Sequence, residues 1–546
     1  VPPVVWICAA CGYQAPPDDP FPCRCPRAVA APSNAPPGSS NARAGSASED
    51  VRTRSSGAGE SFEDGDHVLE RRIDPSLVSL ALDGPANPFL RYRTMLHSYH
   101  LARSGGWSDA QYVDLVERLD AAVAEIDGSG FVETPFRRAD RLSKRLGLSP
   151  GSEGRGDADA DRGVDPIGGV FVKDETGNVS GSHKARHLMG IAIYLRRIEA
   201  LGGPLAARYR AQPLAIASCG NAALAAAVVA RAAGRELHVF VPPDAEGPVV
   251  ERLQALGARL TVCPRDASPV PGGVAAGDPC YLRYREFVRS GAIPFSCQGN
   301  ENALTLEGGA TLAYEMIGEL ARTGRTLDRI FVQVGGGALA SSLIQGFREG
   351  VQLGLLPRFP RIHAVQTEGA HPLKRAYDRV VARALGRDSS EGSEGSSTDA
   401  PGDRERTGTE EPDGRAPLDQ AESIATALLD PSSREWAEEA LRYAVTHRSR
   451  FMWPWGVEPR SLARGILDDE TYDWFAVVRG MIESGGYPIV VTESELREAH
   501  TLAAETTGIP VDPTGSAGLA GLLQFHRGGR NGGSESVVVL FTGVTR

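Results

Sequence analysis

The chain has 546 residues, 41% of them hydrophobic and 23% charged, enough apolar content to bury sizeable cores in several domains. A formal charge of −11 and only 6% aromatic residues argue against a nucleic-acid-binding surface. No apolar run approaches the ~18–20 residues of a membrane span, and no basic stretch followed by an apolar leader opens the chain, so the reading is a cytoplasmic protein with neither nucleic acid nor membrane as partner.

Four cysteines lie in the first 25 residues: Cys8, Cys11, Cys23 and Cys25. Clustered cysteines in a large chain without a leader point to metal before disulfides. Cys8-Ala-Ala-Cys11 is a Cys-x₂-Cys knuckle, and Cys23-Arg-Cys25 follows it. Four soft thiolates suit a structural zinc in tetrahedral geometry. The second pair is one residue shorter than the usual knuckle, which leaves unoccupied cysteines and a redox pair open. Residues 1–26 are therefore expected to form a zinc knuckle. Residues 27–66, rich in Pro, Gly, Ser and Ala, read as a disordered linker. Low-complexity insertions are expected at 151–163 and 386–416, the second of which contains no Val, Ile, Leu or aromatic residue.

The remainder alternates. β-like runs are GVFVK (169–173), PLAIAS (213–218), ELHVFV (236–241), RLTVC (259–263), RIFVQV (329–334), RIHAVQ (361–366), YPIVVT (487–492) and SVVVLF (536–541). Between them lie stretches at helical spacing, among them 183–201, 220–234 and 305–323. Strands alternating with helices of ~10–18 residues predict an α/β fold of parallel sheets covered by helices on both faces.

Four segments carry chemistry. Val172 to Arg186 runs through a polar, glycine-bearing loop into a helix, with Lys184 in the first turn. There the positive end of the helix dipole disfavours an ammonium, and a partly desolvated lysine can attack a carbonyl; a solvated lysine at a helix start is the plain alternative. Ser218-Cys219-Gly220-Asn221 follows an apolar run and opens an Ala-rich helix. Free N–H groups there suit a carboxylate, and Asn221 is equally an ordinary cap. Gly335-Gly336-Gly337-Ala338-Leu339 lets the backbone curl round a phosphate, without the spacing of a nucleotide loop or a dinucleotide fingerprint. Thr542-Gly543 ends the last strand, where a hydroxyl could meet a ring nitrogen.

In this order, the lysine loop, Ser-x-Gly-Asn, the glycine loop and the terminal Thr-Gly resemble the fold-type II pyridoxal-phosphate enzymes, and threonine synthase most. Asn178 to Arg186, Leu306 to Glu315, Glu483 to Gly486, Val491 to Leu496 and Asp512 to Leu522 are the further matching stretches. The resemblance covers about Phe131 to Thr545. It makes 67–546 the catalytic region, two intertwined α/β domains, with pyridoxal 5′-phosphate as cofactor.

It implies that Lys184 forms a Schiff base with the cofactor. Asn221 would contact the ring hydroxyl, Gly335, Gly336, Gly337, Ala338 and Leu339 would hold the phosphate, and Thr542 would meet the ring nitrogen. Ser218, Gly220, Asn221 and Arg186 would bind a small amino-acid substrate, with Arg93 and Lys173 as further candidates for a second anion site. Related families often begin with a cysteine knuckle, which supports zinc at Cys8, Cys11, Cys23 and Cys25.

The expected activity is β-elimination or replacement, conversion of O-phosphohomoserine and water to threonine and phosphate. Threonine/serine dehydratase or a diaminopropionate ammonia-lyase-like deaminase is the alternative, and a non-catalytic cofactor-binding protein a third reading. A homodimer is expected. His183, Ala185 and Asp512 depart from the threonine synthase pattern and bear on the substrate. Gly-Ser-His-Lys also resembles the tryptophan synthase β chain, which lacks the Ser-x-Gly-Asn loop. His183 itself reads as a packed loop histidine.

Overall fold

The computed structural model describes residues 2–29, 64–148, 168–264, 277–387, 418–528 and 535–545. The insertion expected at 151–163, and most of those expected at 27–66 and 386–416, lie outside the described residues. Twelve strands occur among the described residues, in chain order: β1 (Val4–Cys8), β2 (Leu69–Ile73), β3 (Phe136–Arg138), β4 (Gly169–Asp174), β5 (Leu214–Ala217), β6 (Leu237–Val241), β7 (Arg259–Val262), β8 (Ile293–Pro294), β9 (Arg329–Gln333), β10 (Arg361–Thr367), β11 (Ile489–Val491) and β12 (Ser536–Phe541). The eight strands expected from apolar runs are all present.

The larger sheet has the order β11-β10-β9-β12-β4-β3 and the smaller β7-β6-β5-β8. Every neighbouring pair in them is parallel except β3 with β4. The reason is legible in composition. Strands β9 and β12 are buried at every residue, so both faces must be apolar and both must be covered by helices. The six-stranded sheet and helix Thr305–Thr323 share one core. The four-stranded sheet and helix Lys184–Leu201 share a second. These two helices cross backbone to backbone. A Cβ on Gly308 would collide with the carbonyl oxygen of Arg186, and one on Gly190 would stand 2.9 Å from the Gly308 nitrogen. Glycine at both positions therefore lets the two cores meet next to the lysine loop.

The N-terminal residues are not set apart from the rest. Strand β1 pairs antiparallel with β2, Cys8 opposite Leu69, so the expected boundary at 66/67 falls just before the partner strand. Asp66 is itself buried, and its N–H donates to the Val445 carbonyl at 2.7 Å. Among the described residues no helix is long and apolar enough to cross a membrane.

Candidate active site

The lysine loop leaves the C-terminal end of β4. Asn178 braces it, accepting from the Val179 N–H at 2.9 Å and donating to Glu175 at 2.8 Å and to the Ser182 carbonyl at 3.3 Å. Ser180 takes a left-handed conformation (φ 56°), the only non-glycine residue to do so among the described residues. A strap from the chain's end holds the loop down. Ser182 bridges to Gly543, and the Val544 N–H donates to the Gly181 carbonyl at 3.0 Å. Lys184, half-buried, is the first residue of its helix. Cys297 Sγ lies 3.8 Å from its carbonyl oxygen. His183 and His187 are buried, and burial followed by the nearby Lys184 charge holds both rings well below the usual histidine range, His187 at about 3. His183 is thus a packed neutral ring, as expected.

The glycine loop leaves the C-terminal end of β9. Gly337 caps helix Ala338–Gln352 with φ 97° and no side-chain cap, so the first N–H groups of a 15-residue helix point outward. The Asp468 carboxylate lies against Gly335 and Gly336, where a Cβ on Gly335 would collide with it, and it feels the Lys184 charge. Asp468 was not singled out by the sequence. Burial pushes Asp468 up to about 7, against the pull of Lys184. Asp473 flanks the same loop. Its N–H donates to the Gly336 carbonyl at 2.9 Å, and its carboxylate accepts from Ser341 at 3.0 Å and from the Asn300 N–H at 3.2 Å.

Thr542 is buried immediately after β12. Gln333, the last residue of β9, donates to its hydroxyl oxygen at 2.7 Å. Asn221 opens helix Asn221–Ala232 behind an uncapped Gly220, and Ser218 Oγ accepts from the Gly220 N–H at 3.3 Å. A Cβ on Gly543 would stand 2.9 Å from the Asn221 amide nitrogen and would collide with Asp512. Only a glycine after Thr542 lets these side chains approach. The structure therefore brings Lys184, Asn221, the glycine loop and Thr542 together at the strand ends of both sheets. The region outside the C-terminal ends of parallel strands is where open α/β sheets bind ligands.

Three expected cations are placed elsewhere. Arg186 is buried in an ion-pair cluster, bonding Glu175 at 2.8 and 3.0 Å, Glu315 at 2.7 and 3.1 Å, Thr311 at 3.1 Å and Thr134 at 3.1 Å. Lys173 is buried in the same cluster, 2.5 Å from Glu315. Arg93 pairs with Asp109 at 2.7 Å. Arg186 is thus corrected from a substrate-binding to a structural position. An arginine buried in the first turn of this helix must be neutralised from within, and sequence spacing does not reveal the carboxylates that do it.

The N-terminal cluster also differs from expectation. Ligand atoms of Cys8, Cys11, Cys25 and His67 lie within 4.8 Å of one another. Cys23 is outside this group. Its carbonyl accepts from the Ala303 N–H at 2.9 Å. The register of β1 with β2 carries His67 beside Cys8, Nδ1 at 3.5 Å from Sγ. The fourth corner is thus filled from 42 residues beyond Cys25, which no local motif signals.

Residues 158–416 match the family described as Pyridoxal-phosphate dependent enzyme. Threonine synthase of Methanocaldococcus jannaschii is 24% identical over 416 residues, 75% of this chain and 74% of that protein. The human L-serine dehydratase/L-threonine deaminase is 27% identical over 248 residues, 45% of this chain and 60% of that protein. A solved diaminopropionate ammonia lyase from Escherichia coli is 14% identical, covers 80% of this chain and 88% of its own, and has a TM-score of 0.48. With two helix-covered sheets of mainly parallel strands and a family match running from the lysine loop through the glycine loop, the chain is similar to the pyridoxal-phosphate-dependent enzymes of fold-type II.

Proposed function

We propose that the chain catalyses β-replacement on a small amino acid in the manner of threonine synthase, with Lys184 carrying the cofactor. The placement of Lys184, Asn221, the glycine loop and Thr542 at the C-terminal ends of the strands supports this reading. The extent of the likeness to the M. jannaschii threonine synthase, 75% of this chain, favours the synthase among its relatives. The residues present fit pyridoxal phosphate. The N–H groups of Gly336 to Leu339, at a helix start without a side-chain cap, would hold the cofactor phosphate. Thr542 offers a hydroxyl, and Asn221 an amide.

When bound, the cofactor supplies an electron sink for negative charge at the substrate Cα. The protein supplies the rest. The Lys184 amine takes the α-proton and returns it. The Ser218 to Asn221 turn, at the positive end of an uncapped helix, binds the substrate carboxylate and fixes which Cα bond faces the lysine. Loss of phosphate from Cγ and addition of water at Cβ would then convert O-phosphohomoserine to threonine.

A dehydratase reading has one specific support: Arg186, Lys173 and Arg93 are all engaged in ion pairs. The test is a panel of amino acids including O-phosphohomoserine, serine and threonine, assayed for phosphate, ammonia and 2-oxo acid. Phosphate release with threonine formation supports the synthase. Ammonia from serine or threonine without phosphate release replaces it with the dehydratase.

We also propose a structural zinc at Cys8, Cys11, Cys25 and His67. A tetrahedral ion with sulfur at ~2.3 Å and nitrogen at ~2.0–2.1 Å has S···S edges of ~3.8 Å and S···N edges of ~3.6 Å. Cys11–Cys25 Sγ atoms are 3.7 Å apart, and His67 Nδ1 is 3.5 Å from Cys8 and 3.8 Å from Cys25. Four protein ligands leave no open position for a catalytic water.

A further inference from the structure

Gln333 is buried beneath the turn that carries Thr542. Its amide nitrogen lies 2.7 Å from Thr542 Oγ1, 2.9 Å from the Gly515 carbonyl oxygen and 3.3 Å from the Leu540 carbonyl oxygen. Two carbonyl acceptors fix which end of the amide is nitrogen. The other end, Gln333 Oε1, faces the positive end of helix Ala517–Arg527, where a Cβ on Gly518 would stand 3.0 Å away, and accepts no hydrogen bond there.

An amide nitrogen has protons and no lone pair to offer. At 2.7 Å it must donate, and Thr542 Oγ1 must accept. The Thr542 proton is then not spent on Gln333 and is directed to another acceptor. We infer that Gln333 is a positioning residue that commits the Thr542 hydroxyl to donate toward the ring nitrogen of bound cofactor, and so keeps that nitrogen unprotonated. This rests on the proposal that Thr542 meets the ring nitrogen. It gives the buried amide at the end of this central strand a function. An unprotonated ring is a weaker electron sink, which suits departure of a β- or γ-substituent more than reactions that need full charge delocalisation.

The experiment is ¹⁵N NMR of the holoenzyme loaded with ring-¹⁵N pyridoxal phosphate, with melting temperature and bound-cofactor stoichiometry recorded in parallel. Wild-type protein should give the signal of an unprotonated, hydrogen-bonded pyridine. In Gln333→Glu an ionised carboxylate can only accept, so it takes the Thr542 proton, turns an oxygen lone pair to the ring and moves the signal toward the protonated range. Gln333→Met frees the hydroxyl and should give an intermediate shift. It also carries the test if the charged variant does not fold. Unchanged signals in folded, cofactor-loaded Gln333 variants overturn the inference. Thr542→Val separates the two levels. If it moves the signal and the Gln333 variants do not, only the role of Gln333 falls. If it leaves the signal unchanged, Thr542 does not meet the ring and both fall.

Discussion

Arg186 offers the sharpest quantitative prediction, because sequence and structure assign it different work. It sits with Lys173 against Glu175 and Glu315, two positive and two negative charges, all buried. Burial pushes Glu315 up, but the adjacent Arg186 and Lys173 charges overcome this and hold it below the ordinary carboxylate range. Arg186→Met keeps the volume and removes the charge, leaving two carboxylates against one ammonium. Breaking a buried pair from one side costs about 3–5 kcal/mol, since the partner is left uncompensated. Unfolding entropy of ~2.1 cal/mol/K per residue over the roughly 440 described residues is ~0.9 kcal/mol/K. The loss should therefore appear as a fall in Tm of about 3–5 °C, read by circular dichroism at pH 7.5. Restoring neutrality with Glu175→Gln in the Met variant should recover about 1–3 kcal/mol of that, a favourable coupling expected only of residues in one network. The depressed Glu315 fixes the sign with pH. Its contribution is present above the usual carboxylate pKa and fades as pH falls through its lower folded value. An Arg186→Met protein with wild-type Tm and a selective loss of kcat/KM for a phosphorylated substrate would refute the structural placement and return Arg186 to the substrate.

Two further outcomes follow from the geometry. Cys23→Ser should retain about one zinc per chain by elemental analysis, whereas His67→Ala or Cys25→Ser should lose it and lower Tm; metal loss on changing Cys23 but not His67 would restore the original four-cysteine set. Asp468, raised to about 7 chiefly by burial, becomes an anion beside Gly335 and Gly336 above that pH, where the proposed phosphate site would feel it. Cofactor affinity should therefore fall as pH rises through about 7, by at most tenfold per unit for one proton. Asp468→Asn should flatten that slope in a fluorescence titration of apo protein between pH 6 and 8, and parallel slopes for the two proteins would remove Asp468 from the phosphate site.

Much of this architecture is written locally. The runs around β4, β9 and β12 are apolar at nearly every position, so their burial in parallel sheets follows from composition. The helices beginning at Lys184, Asn221 and Thr305 were expected within one residue of where they start. The loops that gather around Lys184 each follow a strand, and parallel strands end on one side, so their convergence follows from the fold class. What could not be read is whatever depends on a partner distant in sequence. Arg186 lies 129 residues from Glu315, and nothing in the Asn178–Arg186 motif says that its guanidinium turns inward. His67 reaches Cys8 through an antiparallel pairing across 59 residues. Short strands such as β3 and β8, three and two residues long, offer too little periodicity to register. Gln333 looks like one polar residue at a strand end until the Thr542 hydroxyl is placed above it.

The central claim is that Lys184 carries the cofactor. Borohydride reduction of the holoenzyme, followed by proteolysis and mass spectrometry, tests it directly. A pyridoxyl group should be found on the peptide containing Lys184, and Lys184→Ala should lose both the label and turnover while keeping its melting temperature. A label on another lysine, or none on cofactor-replete protein, would contradict the account.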